Sequence, residues 1–367
     1  MAKNRKKQNA GINSLRSNNQ PCLGSFSFQD RKLQPVSIGS FSFLDRTLTK
    51  ERKPNKSKYL LSLAINDVCN LGCPHCIVKD FATQPENELV LNQRLHERLK
   101  EMGCSGTPPD FISFAGKEPT ETPEKLIWLA EAVRQFPETK TILMTNANKL
   151  APGLLHQLTG LIDYLDPSLD GIENVVKPAF ANGKETSAWQ NIKYAVKNKL
   201  FKKVGIIVTL MSDTYKQLPC LLDLFAKEFG DSPNVTATIW FYLGQDGDPL
   251  ILNKEQLLEA VAIAANHPWD NIHIALPDQY MAYLPDLVQH FKIDQASQRF
   301  CSQTGIESYL IKDKILNLPT NLNLLRIEFD GRAYAGCGHY LNLDEDPLGN
   351  IAQQTITELF TRLSTSN

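Results

Sequence analysis

Long hydrophobic runs are missing from this 367-residue chain. A membrane span requires roughly 18 apolar residues; the longest aliphatic run here is the short Val204–Met211 segment, so no bilayer crossing is expected. A secretory leader is missing as well. The start, Met1-Ala-Lys-Asn-Arg-Lys-Lys, is basic, but Gln, Asn and Ser follow where an apolar core would stand. The expectation is a cytoplasmic protein without a membrane partner. Cysteine is scarce, with eight residues in the chain. That is too few for a disulfide scaffold, and in a reducing compartment clustered cysteines more often bind metal or do chemistry. An excess of one charge sign is lacking too: 39 basic side chains stand against 40 acidic ones. With 42% hydrophobic and 22% charged residues, the composition is that of an ordinary globular protein.

The charges are unevenly spread. Residues 1–58 hold 13 Lys/Arg and 3 Asp/Glu, a balance of +10, which leaves −11 on the rest to give the net −1. This arm is rich in Asn, Ser, Gln and Lys, a composition that buries too little apolar surface to offset backbone ordering. Within it Gly24-Ser-Phe-Ser-Phe-Gln-Asp-Arg returns fifteen residues later as Gly39-Ser-Phe-Ser-Phe-Leu-Asp-Arg. Phe26/Phe28 and Phe41/Phe43 stand at strand period. Two readings stay open, a pair of docking strands for a substrate or partner, and a duplicated surface segment that packs on the body. Clustered Lys/Arg also suit nucleic-acid phosphates, whose binding needs no base sequence.

From residue 59 the pattern becomes regular. Strands are predicted at 59–65, 110–115, 140–145, 162–168, 203–210 and 235–242, and amphipathic helices near 89–101, 122–136, 151–160, 187–199, 214–229 and 253–266. Strand–helix alternation predicts an α/β fold with a parallel sheet. Six units in this length fall short of an eight-unit barrel, so a partial barrel or an open sheet fits. Functional groups then belong on the loops after the strands' carboxyl ends.

The first of those loops reads Cys69-Asn-Leu-Gly-Cys73-Pro-His-Cys76. Three closely spaced thiolates can hold three irons of a 4Fe-4S cube, leaving the fourth iron open. A structural zinc site would need a fourth ligand, and His75, directly beside Cys76, is poorly placed to supply it. Gly72 and Pro74 are expected to tighten the turn.

This loop after a first strand resembles the radical S-adenosylmethionine (SAM) superfamily. The resemblance implies a partial (βα)6 TIM-type barrel in which Cys69, Cys73 and Cys76 ligate a 4Fe-4S cluster whose open iron chelates SAM. His75 stands where the family is usually aromatic, and its planar imidazole would cover the adenine side. Ala115-Gly116-Lys117-Glu118-Pro119 is similar to the family's Gly-Gly-Glu-Pro loop, which positions the SAM amino group; Glu118 is the expected carboxylate partner. Lys117 replaces a glycine there and is expected to point outward. Thr145-Asn146 matches the Thr-Asn pair, and Ser168-Leu-Asp170-Gly171 matches the Ser-Leu-Asp-Gly of peptide-modifying members, whose side chains reach toward the ribose and carboxylate of SAM. Four matches in order are jointly strong, although each alone is weak.

The last hundred residues differ. Cys301-Ser-Gln-Thr-Gly is followed by a predicted hairpin ending Phe329-Asp-Gly-Arg-Ala-Tyr-Ala-Gly-Cys337, then Leu348-Gly-Asn-Ile and a short helix from Thr355 to Leu363. This resembles the SPASM or shortened twitch extension of radical SAM peptide maturases, making 269–367 a small α+β extension after a 59–268 core. Such extensions carry further cysteines, whereas nothing after Cys337 supplies a thiolate. Three readings remain: a degenerate extension without a cluster, an auxiliary iron–sulfur cluster completed by His339, Cys22 or substrate, and a hydrogen-atom donor at Cys301 or Cys337 as in peptide epimerases. Cys104 and Cys220 read as buried structural cysteines. His96, His156, His267, His273 and His290 lack a ligand partner one helical turn away and read as surface or core residues.

The resemblance implies reductive cleavage of SAM and hydrogen abstraction from a substrate, and the peptide-maturase features point to a ribosomally made peptide or protein gripped by a leader segment. Crosslinking, epimerisation and excision stay open. RNA and a small metabolite are the alternative substrates, a non-enzymatic iron–sulfur protein the alternative class, and a flavodoxin or ferredoxin the implied electron donor.

Overall fold

In this computed structural model the described residues are 48–49, 59–76, 88–104, 108–244, 247–293, 298–301, 306–311, 314–317, 323–336 and 347–365. Contacts divide the chain into Met1–Gln34 and Pro35–Asn367, and every described residue belongs to the second unit. The Gly24 and Gly39 repeats, Cys22, Cys337 and His339 lie outside the described residues.

The chain opens with strand β1 (Leu48–Thr49), then runs β2 (Tyr59–Ala64), α1 (Glu88–Cys104), β3 (Phe111–Ala115), α2 (Pro123–Val133), β4 (Lys140–Thr145), α3 (Pro152–Leu158) and β5 (Tyr164–Pro167). A small hairpin, β6 (Phe180–Ala181) and β7 (Lys184–Glu185), precedes α4 (Ser187–Lys197), β8 (Lys203–Leu210), α5 (Leu218–Phe229), β9 (Val235–Phe241), α6 (Lys254–Asn266), β10 (Ile272–Ala275) and α7 (Leu284–Phe291). The remaining elements are β11 (Gln298–Cys301), β12 (Ile306–Ile311), β13 (Lys314–Asn317), β14 (Asn323–Ile327), β15 (Arg332–Ala335), β16 (Gly349–Asn350) and α8 (Ile356–Thr365). All six expected strands and all six expected helices of the core are present.

The strands β2, β3, β4, β5, β8, β9 and β10 pair in parallel in that spatial order. Parallel strands covered on both faces need apolar residues at both alternating sets of positions, and the burial follows that rule. Leu61, Leu63, Ile112, Phe114 and Leu143 join the helices in the main core. Leu60, Phe111, Ile142 and Leu324 form a second cluster with Met144 and Tyr164. The registers Leu60↔Phe111 and Ile142↔Tyr164 place these residues on the opposite face of the sheet. Each buried leucine contributes about 1.5–3 kcal/mol.

Sequence reading missed how far the sheet extends. β10 continues the parallel array past residue 268, and β13 pairs with it in parallel. At the other end β14 pairs in parallel with β2, Arg326 opposite Ser62, so a late strand flanks the first one. The expected C-terminal hairpin is present as β14–β15. Its turn has Gly331 at φ +85°, a conformation that glycine adopts without strain. Cys301 ends β11 and stands opposite Leu48 of β1. No helix among the described residues is long and apolar enough to cross a membrane.

One expectation is corrected here. Cys220 is exposed, not buried. α5 buries Leu218, Leu221, Leu222, Phe225 and Phe229, a stripe at helical spacing, and position 220 falls off it. The histidines are accounted for locally. His96 stacks on Trp128 with centroids 4.1 Å apart, His156 meets the Tyr194 hydroxyl, His267 meets Asp223, His290 packs edge-on against Phe291, and His273 is buried in β10.

Leu63→Ala should therefore lower unfolding stability by about 2–5 kcal/mol, whereas Cys220→Ser should stay within about 0.5 kcal/mol. Urea denaturation followed by circular dichroism checks both.

Candidate functional site

Because the strands are parallel, the loops after β2, β3, β4 and β5 emerge at one end of the sheet. The first two are bound together through Asn66, two residues beyond β2. Its Nδ2 donates to the Glu118 carbonyl (2.7 Å) and to Thr122 Oγ1 (3.0 Å). Its carbonyl accepts from Lys117 N–H (3.4 Å), and the Val68 carbonyl accepts from Glu118 N–H (3.0 Å). Gly116 makes this approach possible. Its φ is +129°, and a Cβ there would sit 2.9 Å from the Asn66 carbonyl oxygen.

Glu118 is 1% exposed and faces into the loops. Its Oε1 accepts from Thr120 Oγ1 (2.6 Å), Thr120 N–H (3.1 Å) and Thr145 Oγ1 (2.6 Å), and its Oε2 accepts from Asn146 N–H (2.6 Å). A carboxylate has about four acceptor sites. The expected partner of a SAM ammonium is thus already filled by donors of the chain itself. Pro119 begins the short turn at 119–121.

Thr145 and Asn146 carry the network onward. Asn146 Oδ1 accepts from Asn148 N–H (3.0 Å), and its Nδ2 donates to Asn70 Oδ1 (2.7 Å) and lies 3.8 Å from Cys69 Sγ. Cys69 Sγ also accepts from Leu71 N–H (3.4 Å). Partial desolvation of the otherwise exposed Cys69 raises its pKa despite these donors, and burial pushes Cys73 up to about 11 against the pull of Lys177. Ser168, partly buried, donates its N–H to the Thr145 carbonyl (2.8 Å).

The cysteine loop turns at Pro74-His75, closed by Cys76 N–H to the Cys73 carbonyl (3.1 Å). Proline at the second turn position is pre-set for this geometry. Gly72, expected to share that task, has no positive φ and open space where a Cβ would go, so Pro74 alone carries it. Cys69 is exposed and Cys73 and Cys76 are half-buried, all as free thiols. Among the described residues no three His, Cys, Asp or Glu side chains converge as on a single ion. Cube ligation does not require convergence, since each thiolate binds a different iron. The donor set thus fits a cluster better than zinc.

His75 and Asp170 behave differently from the expectation that they face a nucleoside. His75 is buried, with Nε2 3.2 Å from Asp170 Oδ2 and its ring edge-on to Tyr242. Lys177 Nζ lies 3.1 Å from the same oxygen, while Asp170 Oδ1 accepts from Thr209 N–H (3.2 Å). Burial alone would raise the Asp170 pKa, but Lys177 and His75 hold it below the ordinary carboxylate range. Tyr242, one residue past β9, donates to Asp248 (2.8 Å), and burial with that acceptor pushes its pKa up to about 12. Asn66, Lys177 and Tyr242 were missed by sequence reading. Asn66 and Tyr242 could have been found by their places just beyond strand ends, whereas Lys177 has no such signal.

The side chain of Cys301 and all of Cys337 lie outside the described residues. Glu118→Ala should cost about 3–5 kcal/mol, because it strands buried donors from two loops. Gly116→Ala should cost about 1–3 kcal/mol through its disallowed φ. Urea unfolding at wild-type stability for both variants would contradict the network.

Comparison with known proteins finds a family model that these loops match. Residues 63–225 match the family model described as the radical SAM superfamily. No curated protein matches the sequence. Among solved structures, native anSMEcpe with bound AdoMet is similar at 16% identity and a TM-score of 0.53, over 84% of this chain and 82% of that one. Streptococcus suis SuiB bound to S-adenosylmethionine is similar at 15% identity and a TM-score of 0.55, over 83% of this chain and 65% of that one. SuiB bound to precursor peptide SuiA gives 16%, 0.56, 83% and 64%. At such identities the likeness is one of fold. Residues 63–225, which hold the cysteine loop and the loops after β3, β4 and β5, are thus the part of the chain that is similar to the radical SAM superfamily.

Proposed function

We propose that this protein is a radical SAM enzyme acting on a ribosomally made peptide or protein. The observation that carries the reading is the cysteine loop itself, three free thiols within eight residues after the first parallel strand of the core. Cys69, Cys73 and Cys76 hold the 4Fe-4S cluster. With SAM bound, that cluster supplies one-electron cleavage of the sulfonium to methionine and a 5′-deoxyadenosyl radical that removes a hydrogen atom from substrate.

The chain's own part is binding and alignment. The Gly116–Pro119 loop offers its backbone to the SAM amino group, since the Glu118 carboxylate is spent on Thr120, Thr145 and Asn146. Ser168 lies near the loop mouth and suits the ribose or carboxylate. Asn146 orients the Cys69 sulfur. Lys117 contributes its backbone N–H to the Asn66 contact and no catalytic group. A flavodoxin or ferredoxin delivers the electron, and the cytoplasm is the compartment that suits both.

Peptide substrates are supported by relatives of similar fold. Solved structures of anSMEcpe contain AdoMet with the Cp18Cys peptide, and SuiB is bound to precursor peptide SuiA. The +10 balance of residues 1–58 against an acidic body suits a leader segment of mixed charge. Crosslinking, epimerisation or excision would follow from where the substrate's target C–H bond is held. Cys301 and Cys337 are the candidates for a hydrogen-atom donor or an auxiliary-cluster ligand.

Anaerobic reconstitution tests the reading. Replacing Cys69, Cys73 and Cys76 with Ala should remove about four irons per chain and abolish release of 5′-deoxyadenosine from SAM with dithionite. Retention of that product in the triple variant would falsify the assignment. About four irons left in the triple variant would establish a second cluster, and loss of those irons on Cys301→Ala would place it. Deleting residues 1–58 should weaken peptide turnover; a salt-dependent affinity for tRNA lost with the same deletion would instead favour RNA.

A further inference from the structure

Lys177 belongs to no recognised motif, yet the fold fixes its backbone and its side chain together. After β5 the chain loops out and returns. Asp170 N–H donates to the Lys177 carbonyl (2.8 Å), Ala179 N–H donates to the Gly171 carbonyl (2.9 Å), and Gly171 bridges Pro178. Gln217 grips the outgoing limb, its Oε1 accepting from Ile172 N–H (2.9 Å) and its Nε2 donating to the Glu173 carbonyl (3.0 Å). The Lys177 ammonium is thereby delivered to Asp170 Oδ2 at 3.1 Å with its side chain 12% exposed. The same oxygen meets His75 Nε2 at 3.2 Å, and His75 lies inside the Cys73–Cys76 turn.

Resting on the cluster assignment above, we propose that Lys177 is a fixed counter-charge to the cysteine loop, anchored by Asp170, and that it raises the reduction potential of the cluster bound there. A buried ammonium costs free energy unless opposite charge surrounds it. Asp170 supplies one such charge. The thiolates of Cys73 and Cys76, which flank the His75 that shares Oδ2 with Lys177, would supply more. One-electron reduction adds a negative charge to an already anionic cluster, and a fixed cation nearby stabilises the product more than the reactant. A surface lysine could not do this, because solvent would screen it. The sharing of Oδ2 keeps the cation and the cysteine turn in register. Lys177 is therefore a positioning residue for electron entry, with no contact to substrate required.

The test is an EPR-monitored redox titration of the anaerobically reconstituted full-length chain, following the signal that disappears when Cys69, Cys73 and Cys76 are replaced by Ala. Lys177→Gln should move the midpoint to more negative potential. Poised at the wild-type midpoint, its ratio of reduced to oxidised cluster should fall at least ~3-fold. Lys177→Arg should titrate like wild type, and Asp170→Asn, which removes the opposing charge, should shift positive. A purely structural role predicts no such opposition of sign. A Lys177→Gln midpoint equal to wild type, or shifts of Lys177→Gln and Asp170→Asn in the same direction, would overturn the proposal while leaving the cluster assignment intact. Should Lys177→Gln take up no iron, the Lys177→Arg and Asp170→Asn titrations decide alone: an Arg variant displaced from wild type or an Asn variant without a positive shift overturns it. Absence of any signal dependent on the three cysteines overturns the cluster assignment and this proposal with it.

Discussion

The buried carboxylate of Glu118 holds the strand-end loops in one arrangement. Four donors reach it from two loops, and its own backbone is gripped by Asn66 and Val68 from a third. Ionised acceptors with several short hydrogen bonds are stronger than neutral ones, and leaving such donors unpaired in a buried place is costly. The loop geometry at the mouth of the sheet therefore has few alternatives. Asn146 extends the same network to Cys69, so the position of the first thiol depends on a carboxylate in the next strand-end loop.

A second ionic group fixes the other end of the cysteine loop. Asp170, with His75 and Lys177, ties the Cys73–Cys76 turn to the end of β5. Between them the two carboxylates do what neither the helices nor the apolar clusters can do. Hydrophobic packing is non-directional; it holds the strands in register but does not aim a sulfur. Directional hydrogen bonds and ion pairs supply the aim, and they are concentrated where the sheet's parallel strands end.

Much of this was legible beforehand. The six strands and helices from 59 to 266 follow from periodicity, since an apolar run of strand length between helical stretches has few other uses in a folded chain. The four strand-end motifs are visible as residue types in order, which singles out Glu118, Thr145, Asn146 and Asp170 as candidates from the sequence. Their orientation is not. The motifs put Glu118 and Asp170 beside SAM; what they leave unstated is that both side chains are buried against partners in other loops. The leucines around Cys220 suggest a buried site, but only the phase of the helix decides which side of it meets the core, and Cys220 is exposed.

The amino-acid order by itself determined the alternation of strands and helices, the placement of three thiols in one short loop and the separate character of the basic arm, because each depends on neighbours within a few residues. The tertiary structure decided which side chains meet. Lys177 on Asp170, Asn66 on the Glu118 loop and β14 beside β2 join residues 7, 52 and about 265 positions apart. No local pattern encodes such distances, because pairing at long range is settled by which faces the packed sheet leaves adjacent.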